Sequence, residues 1–320
     1  MTVAVTNYGG YLVGAWVPDK VGKLISVAVG FDTIEGLLNQ TNYYGATIGR
    51  YGNRIAKGQF TLDGKEYHLL INNSPNSLHG GKKSFSHVVW DGNQIDQQKV
   101  ELMYLSKDME EGFPGNLDVK VTYYLTDDNA IEINYEASTD KTTVVNLTNH
   151  TYFNLNGEGS VNILDHLVQI AADNYTPVDY TMIPTGKIEP VKGTPFDFIH
   201  PKTIGRSINA DDEQVKFGGG YDHNFVFNLH DIHTPVAKVT GDKSDIVMEV
   251  YTDEPGMQFY SGNFMLGTNT IRGGKRDIKR TAFAMETQHY PDSPNQPHFP
   301  STILKPGEVY RSKTIYKFSV

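Results

Sequence analysis

Glu286 heads the residues whose type and setting could do chemistry. It stands in TAFAMETQ, residues 281–288, where Ala282, Ala284, Glu286 and Gln288 share one face of an extended strand and Phe283 and Met285 share the other. Two small residues followed by a carboxylate and an amide leave room above them for a ligand, although a solvent-facing sheet edge would carry the same pattern. A second stretch, NLTNHTYFNLNG from Asn146 to Gly157, is built like a strand. Asn146, Thr148, His150, Tyr152 and Asn154 lie on one face of it, and Val145, Leu147, Phe153 and Leu155 on the other. Strand faces that merely meet water usually carry Lys, Glu and Thr, whereas this one offers amides, an imidazole and a phenol.

Other candidates stand at turns and strand starts. Asn53 and Arg54, between Gly52 and Gly58, precede the strand GQFTLDG, and an Arg fork there could hold two oxygens of a ligand, brace a carboxylate, or form a surface ion pair. His79 stands against Gly80 and Gly81, which permit close approach of a ligand or of another stretch of chain. Asp222 lies beside His223 in GYDHNF, and Gln258 and Tyr260 share a strand face opposite Met257 and Phe259. Each signal is weak alone. Together they supply uncharged polar groups, one Arg, two separated carboxylates and two or three imidazoles, which is a kit for gripping a polyhydroxyl ligand and moving protons on it.

Several chemistries lack their signatures. Among eleven histidines, His230 and His233 form an i, i+3 pair, but without HExxH, a DxDxDG loop or a third ligand at a telling spacing no metal site is expected. No GxSxG elbow and no phosphate-binding P-loop occurs, and no cofactor is expected. The formal charge of -9 and the absence of a Lys/Arg run argue against nucleic acid. No apolar run approaches the roughly 20 residues that cross a bilayer, and the opening MTVAVTNYGG lacks a basic and then apolar leader, so a cytoplasmic location and no membrane partner are expected. Zero cysteines exclude disulfides, thiolate metal sites and cysteine nucleophiles.

The elements that must position these side chains are nearly all strands. Alternating or apolar runs such as YLVGAWV, VELMYLS, LDVKVTYYL, AIEINYEAS, DIVMEVYT, MQFYSGNF and TIYKFSV are separated by turn clusters such as LDG, FPGN and KPG. Only Thr33 to Asn39 and Lys202 to Ile208 read as helical. With no βαβ rhythm, no linker and no internal repeat, the expected fold is all-β, one large antiparallel β-sandwich over residues 1–320. The Pro, Asp and Gly-rich region from Asp173 to Gly220 predicts long loops over one face of a sheet.

The motifs TNYYGATIGRYGNRIAKGQFTLDGKEYHL, NSLHGG, NLTNHTYFNL, DYTMIPTG, GYDHNF, DEPGMQFYSGNF and AFAMETQ follow one another in a familiar order. On them the chain, from about Tyr8 to Val320, resembles the galactose mutarotase (aldose 1-epimerase) family. The resemblance implies a β-supersandwich with an open cleft, and interconversion of the α and β anomers of a free aldose such as galactose or glucose. It implies Glu286 as general base on the C1 hydroxyl, His150 as an imidazolium acid on the ring oxygen, and His79 as a second imidazole near that oxygen. Asn53, Arg54, Tyr152, Asp222 and Gln258 match sugar-binding positions, and the expected assembly is a monomer or homodimer. Three other readings stay open at this level. They are a glycoside hydrolase using Asp222 and Glu286, a sugar-binding protein without catalysis, and a hexose 6-phosphate mutarotase drawing on Arg50 and Lys57.

Overall fold

The computed structural model describes residues 1–320 and is built almost wholly from antiparallel strands. A nine-stranded sheet and a six-stranded sheet dominate it. In spatial order the larger runs through Lys202–Thr203, Leu167–Ile170, Ala237–Thr240, Val247–Thr252, Tyr310–Ser319, Ala130–Thr139, Leu117–Leu125, Lys99–Ser106 and Asp91–Gln94. The smaller runs through Tyr152–Phe153, Phe283–Gln288, Gly256–Tyr260, Asp222–Val226, Asn174–Thr176 and Glu189–Pro190.

Alternation decides how the sheets stack. Phe225, Met257, Phe259, Phe283 and Met285 leave one face of the six-stranded sheet. They join Val121, Ile133, Val250, Tyr316 and Phe318 of the nine-stranded sheet in a single core of 48 buried residues. The opposite face of the smaller sheet therefore holds the alternate residues Asp222, Gln258, Tyr260, Ala284 and Glu286, and loops cover it. Leu117–Leu125 and Ala130–Thr139 pair over nine consecutive positions without a bulge, so the core's largest hairpin gives the sandwich a regular floor.

The sequence expectations hold for most strands and fail in instructive places. NLTNHTYFNLNG does not run as one strand: Thr148–Asn149 pairs with Thr47–Ile48, and Tyr152–Phe153 pairs with Phe283–Ala284. Between them the Asn149 side chain accepts from the backbone amide and the hydroxyl of Thr151 and donates to the Gly45 carbonyl and the Tyr123 hydroxyl. Such a local side-chain bond competes with the ladder and hands the chain from one partner to the next. Thr33 caps a helix over Ile34–Asn39 as expected, whereas Lys202 to Ile208 forms a two-residue strand and one 3₁₀ turn, Ile204–Arg206. A helix over Glu213–Gly218 was not anticipated, although Asp212 accepts at its N-terminus and Gly219 closes it with positive φ. TAFAMETQ is no edge: its strand is flanked on both sides and wholly buried.

Candidate active site

Segments remote in sequence meet over the loop-covered face of the six-stranded sheet. The floor comes from register: Gln258 pairs with Glu286, Asn224 with Gln258, and Asp222 with Tyr260, so side chains from three neighbouring strands stand side by side. His150 enters from the break after Asn149. Its backbone is fixed on both sides, since the Gly45 amide donates to its carbonyl and its amide donates to the Ala46 carbonyl.

Asn146 splints three of these segments. Buried, it donates to the carbonyls of Gly52 and His289 and accepts from the His289 amide. One amide thus ties the Asn53–Arg54 loop, the His150 segment and the end of the Glu286 strand together. Asn154 likewise serves backbone, bonding the Val161 and Thr281 carbonyls, while the Thr148 hydroxyl finds no partner.

His79 is held by backbone geometry. It sits at φ 51°, and the following Gly80 adopts φ 83° where a Cβ would lie 2.0 Å from the Gly49 carbonyl oxygen. The glycines at this turn therefore admit neighbouring chain. Nδ1 of His79 accepts from the Asn53 amide at 3.1 Å, so in the neutral ring Nε2 carries the proton. Asn53 has φ 62°, and its side-chain oxygen accepts from the Arg54 amide.

The charges lie in one corner. Nε2 of His150 is 3.5 Å from Oε1 of Glu286, and both side chains are buried. Gln258 donates to Asp222 at 2.7 Å, and the Arg54 guanidinium lies 4.0 Å from the other Asp222 oxygen while its Nε donates to Asn73. Glu286 Oε2, Gln258 Oε1 and His150 Nδ1 are buried without a protein partner.

Burial dominates the proton affinities. Desolvation, then the like charge of Asp222, pushes Glu286 well above the usual carboxylate range, and Arg54 opposes this. Desolvation likewise raises Asp222, again against Arg54. It lowers His150 to about 4 and holds His79 well below the ordinary imidazole range, with His150 and Arg54 adding to the effect on His79. In both members of the Glu286 and His150 pair burial thus works against the charged form, the carboxylate of one and the imidazolium of the other.

The cleft encloses about 470 Å³. Asn53, Arg54, His79, His150, Tyr152, Asp222 and Glu286 all line it, and Gln258 reaches it through Asp222. Sequence reasoning gave no role to Tyr43, whose ring packs edge-on to His79 with centroids 4.8 Å apart and 6.0 Å from His150. Its motif TNYYG was visible; its reach was not. Asn73, Thr181 and Met182 also line the cleft, the last two delivered by the Asp173 to Gly220 loops as expected.

Arg50 points elsewhere: fully buried, it donates to the carbonyls of Ser106, Lys107, Pro114 and Gly115 and to the Ser106 hydroxyl. Lys57 is exposed and does not line the cleft, which leaves Arg54 as its one Lys or Arg. The donor atoms of His79, His150 and Glu286 lie within 4.8 Å of one another, so this trio is also where the chain could hold a metal ion; His230 and His233 belong to no such group.

Fold and site define a class: an antiparallel β-sandwich protein that turns a buried carboxylate and imidazoles toward a polar, largely uncharged cleft. Residues 1–317 match the family model described as aldose 1-epimerase. The chain is 47% identical over 320 residues to a galactose mutarotase of Rattus norvegicus, covering all of this chain and 92% of that one. It is 42% identical over 322 residues to an aldose 1-epimerase of Escherichia coli, covering 99% and 92%. Among solved structures, the aldose epimerase homologue from C. elegans superposes with a TM-score of 0.91 at 29% identity, covering 99% of this chain and 95% of that one. The galactose 1-epimerase from Lactobacillus acidophilus gives 0.86 at 30%, covering 99% and 90%. The chain belongs to the aldose 1-epimerase family.

Proposed function

We propose that the cleft binds a free aldose, galactose or glucose, in its pyranose form and interconverts the α and β anomers through the open-chain aldehyde. The observation that carries this reading is the buried pair of Glu286 and His150, 3.5 Å apart, in a cleft whose other lining is mostly hydroxyls, amides and aromatic rings, with Arg54 and Asp222 as its other charged groups. Ring opening needs two proton transfers on neighbouring atoms. Glu286 takes the proton of the C1 hydroxyl, the C1 oxygen becomes the carbonyl, and the bond from C1 to the ring oxygen breaks as that oxygen takes a proton from His150. Rotation about the bond from C1 to C2 presents the other carbonyl face, and the same two groups close the ring with roles reversed.

The supporting side chains have chemical reasons to be there. Asp222, oriented by Gln258, accepts from sugar hydroxyls. Arg54 offsets the like charges of Asp222 and Glu286 and so draws the Glu286 proton affinity back toward the ordinary carboxylate range. His79, its Nδ1 already committed to Asn53, has Nε2–H to donate near the ring oxygen. Partnerless buried oxygens on Glu286 and Gln258 suit a ligand rich in hydroxyl donors.

Polarimetric relaxation of freshly dissolved α-galactose and α-glucose tests the reading. Acceleration above the buffer rate is expected. A buffer-rate decay together with measurable sugar binding would leave a binding protein, and release of nitrophenol from a nitrophenyl galactoside would favour a hydrolase. Because Arg54 is the cleft's one Lys or Arg, glucose 6-phosphate is expected to gain nothing over glucose.

A further inference from the structure

A buried carboxylate that the proton transfers do not use lies on the link from the larger sheet to the smaller. Residues 253–255 carry the chain from Val247–Thr252 to Gly256–Tyr260, and Glu254 among them is 2% exposed. Both of its oxygens are engaged: Oε2 accepts from Nδ1 of His289 at 2.6 Å, and Oε1 accepts from the Tyr310 hydroxyl at 3.1 Å. None of the three residues lines the cleft.

Both arms end on the segments that carry the reacting groups. His289 stands three residues after Glu286, and its backbone amide and carbonyl are both bonded by the Asn146 side chain. The Tyr310 hydroxyl accepts at 3.3 Å from the amide of Leu147, three residues before His150. One carboxylate therefore ties the end of the Glu286 strand to the start of the His150 segment. Its own place is fixed from the larger sheet, since the Glu254 amide donates to the Thr252 hydroxyl and that hydroxyl donates to the Lys313 carbonyl. A carboxylate this buried needs a cation, and His289 is the one that pairs with it. Burial works against the His289 imidazolium, yet the charge and hydrogen bond of Glu254, with Asp253 adding, raise its proton affinity above the ordinary imidazole value. The bond between them is then charge-assisted, roughly twice as strong as a neutral one.

We propose that Glu254, His289 and Tyr310 are positioning residues for the interconversion of anomers: their hydrogen-bonded clamp holds His150 and Glu286 at the 3.5 Å spacing seen here without touching the sugar. The inference rests on the aldose reading of the cleft. Two proton transfers on neighbouring atoms require the acid and the base to keep one separation through ring opening and closure. The two groups stand on segments that share no long ladder: Tyr152–Phe153 pairs with the Glu286 strand over only two positions. Their spacing is therefore set by side chains that bridge them, and the clamp supplies two such bridges from one buried atom pair.

The test is polarimetry with α-galactose on wild type, His289→Ala, His289→Asn and Tyr310→Phe, each assayed well below its melting temperature. A misplacement of about 1 Å costs roughly 10²-fold, so slackening by about 0.25–0.75 Å lowers kcat about 3- to 30-fold in His289→Ala and in Tyr310→Phe, with KM within about twofold of wild type. His289→Asn sets a side-chain N–H where Nδ1–H stands and is expected to recover most of the loss. Wild-type kcat in folded His289→Ala and Tyr310→Phe overturns the clamp. So does a fall that only tracks the folded fraction, or one that His289→Asn leaves unrecovered. If one of the two truncations fails to fold, the other carries the test. Wild type that relaxes α-galactose at the buffer rate removes the aldose reading, and this inference with it.

Discussion

Glu286→Gln separates catalysis from folding more cleanly than any other single change. The amide keeps the shape of the side chain and removes its ability to take a proton. A positioned acid or base contributes roughly 10²–10⁴-fold, so turnover should fall by that factor, a barrier higher by about 2.7–5.5 kcal/mol. Glu286→Asp gives an internal scale. Shortening the side chain by one methylene withdraws the carboxylate from its place 3.5 Å from His150, and a misplacement of about 1 Å costs roughly 10²-fold, so the Asp variant should lose no more than the Gln variant.

Stability moves the other way. The folded proton affinity of Glu286 is raised by burial and by Asp222, so its contribution to stability is fully present below the unfolded carboxylate value and is lost as pH rises toward the folded one. At neutral pH wild type bears that cost and the Gln variant does not. The melting temperature of Glu286→Gln should therefore equal or exceed that of wild type at pH 7, and the gap should shrink toward pH 4. Polarimetry with α-galactose and thermal unfolding on the same preparations read both quantities. A variant that keeps more than a tenth of wild-type kcat while fully folded would refute the assignment, and one that is slow because it melts early would refute the stability argument.

Three further outcomes follow from the same geometry. His150→Asn should lower kcat by at least about 10²-fold by polarimetry with thermal stability retained, since Nδ1 of the ring has no protein partner and the residue's place in the fold is set by backbone bonds to Gly45 and Ala46. Arg54→Met removes the cation that draws the Glu286 proton affinity down, so the acidic limb of the kcat/KM profile should move to higher pH; an unmoved limb would disconnect Arg54 from Glu286. Arg50→Met strands four backbone carbonyls around a buried site and should cost at least about 3 kcal/mol, a fall in melting temperature of about 4 °C or more for a chain of this length, measured by calorimetry.

Much of the fold was legible because strand alternation is a local property. Met257 and Phe259 against Gln258 and Tyr260, and Phe283 and Met285 against Ala284 and Glu286, could be sorted into faces from sequence, and the sheet keeps that sorting. The same logic put His150 and Tyr152 on one side, and their rings lie 4.9 Å apart. It failed where a side chain outcompeted the ladder, as Asn149 does at the break in NLTNHTYFNLNG, and where a short helix depended on a cap, as Asp212 provides before Glu213–Gly218.

By itself, then, the sequence determined residue types, strand faces and, through motif order, the family. Tertiary structure alone decided which strands became neighbours, because hydrogen bonds between remote strands leave no periodic trace in either one. That is why only the fold could bring Asn53, His79, His150, Asp222 and Glu286 to one cleft, turn Arg50 away from it into a nest of carbonyls, and make Asn146 the joint on which three of those segments meet.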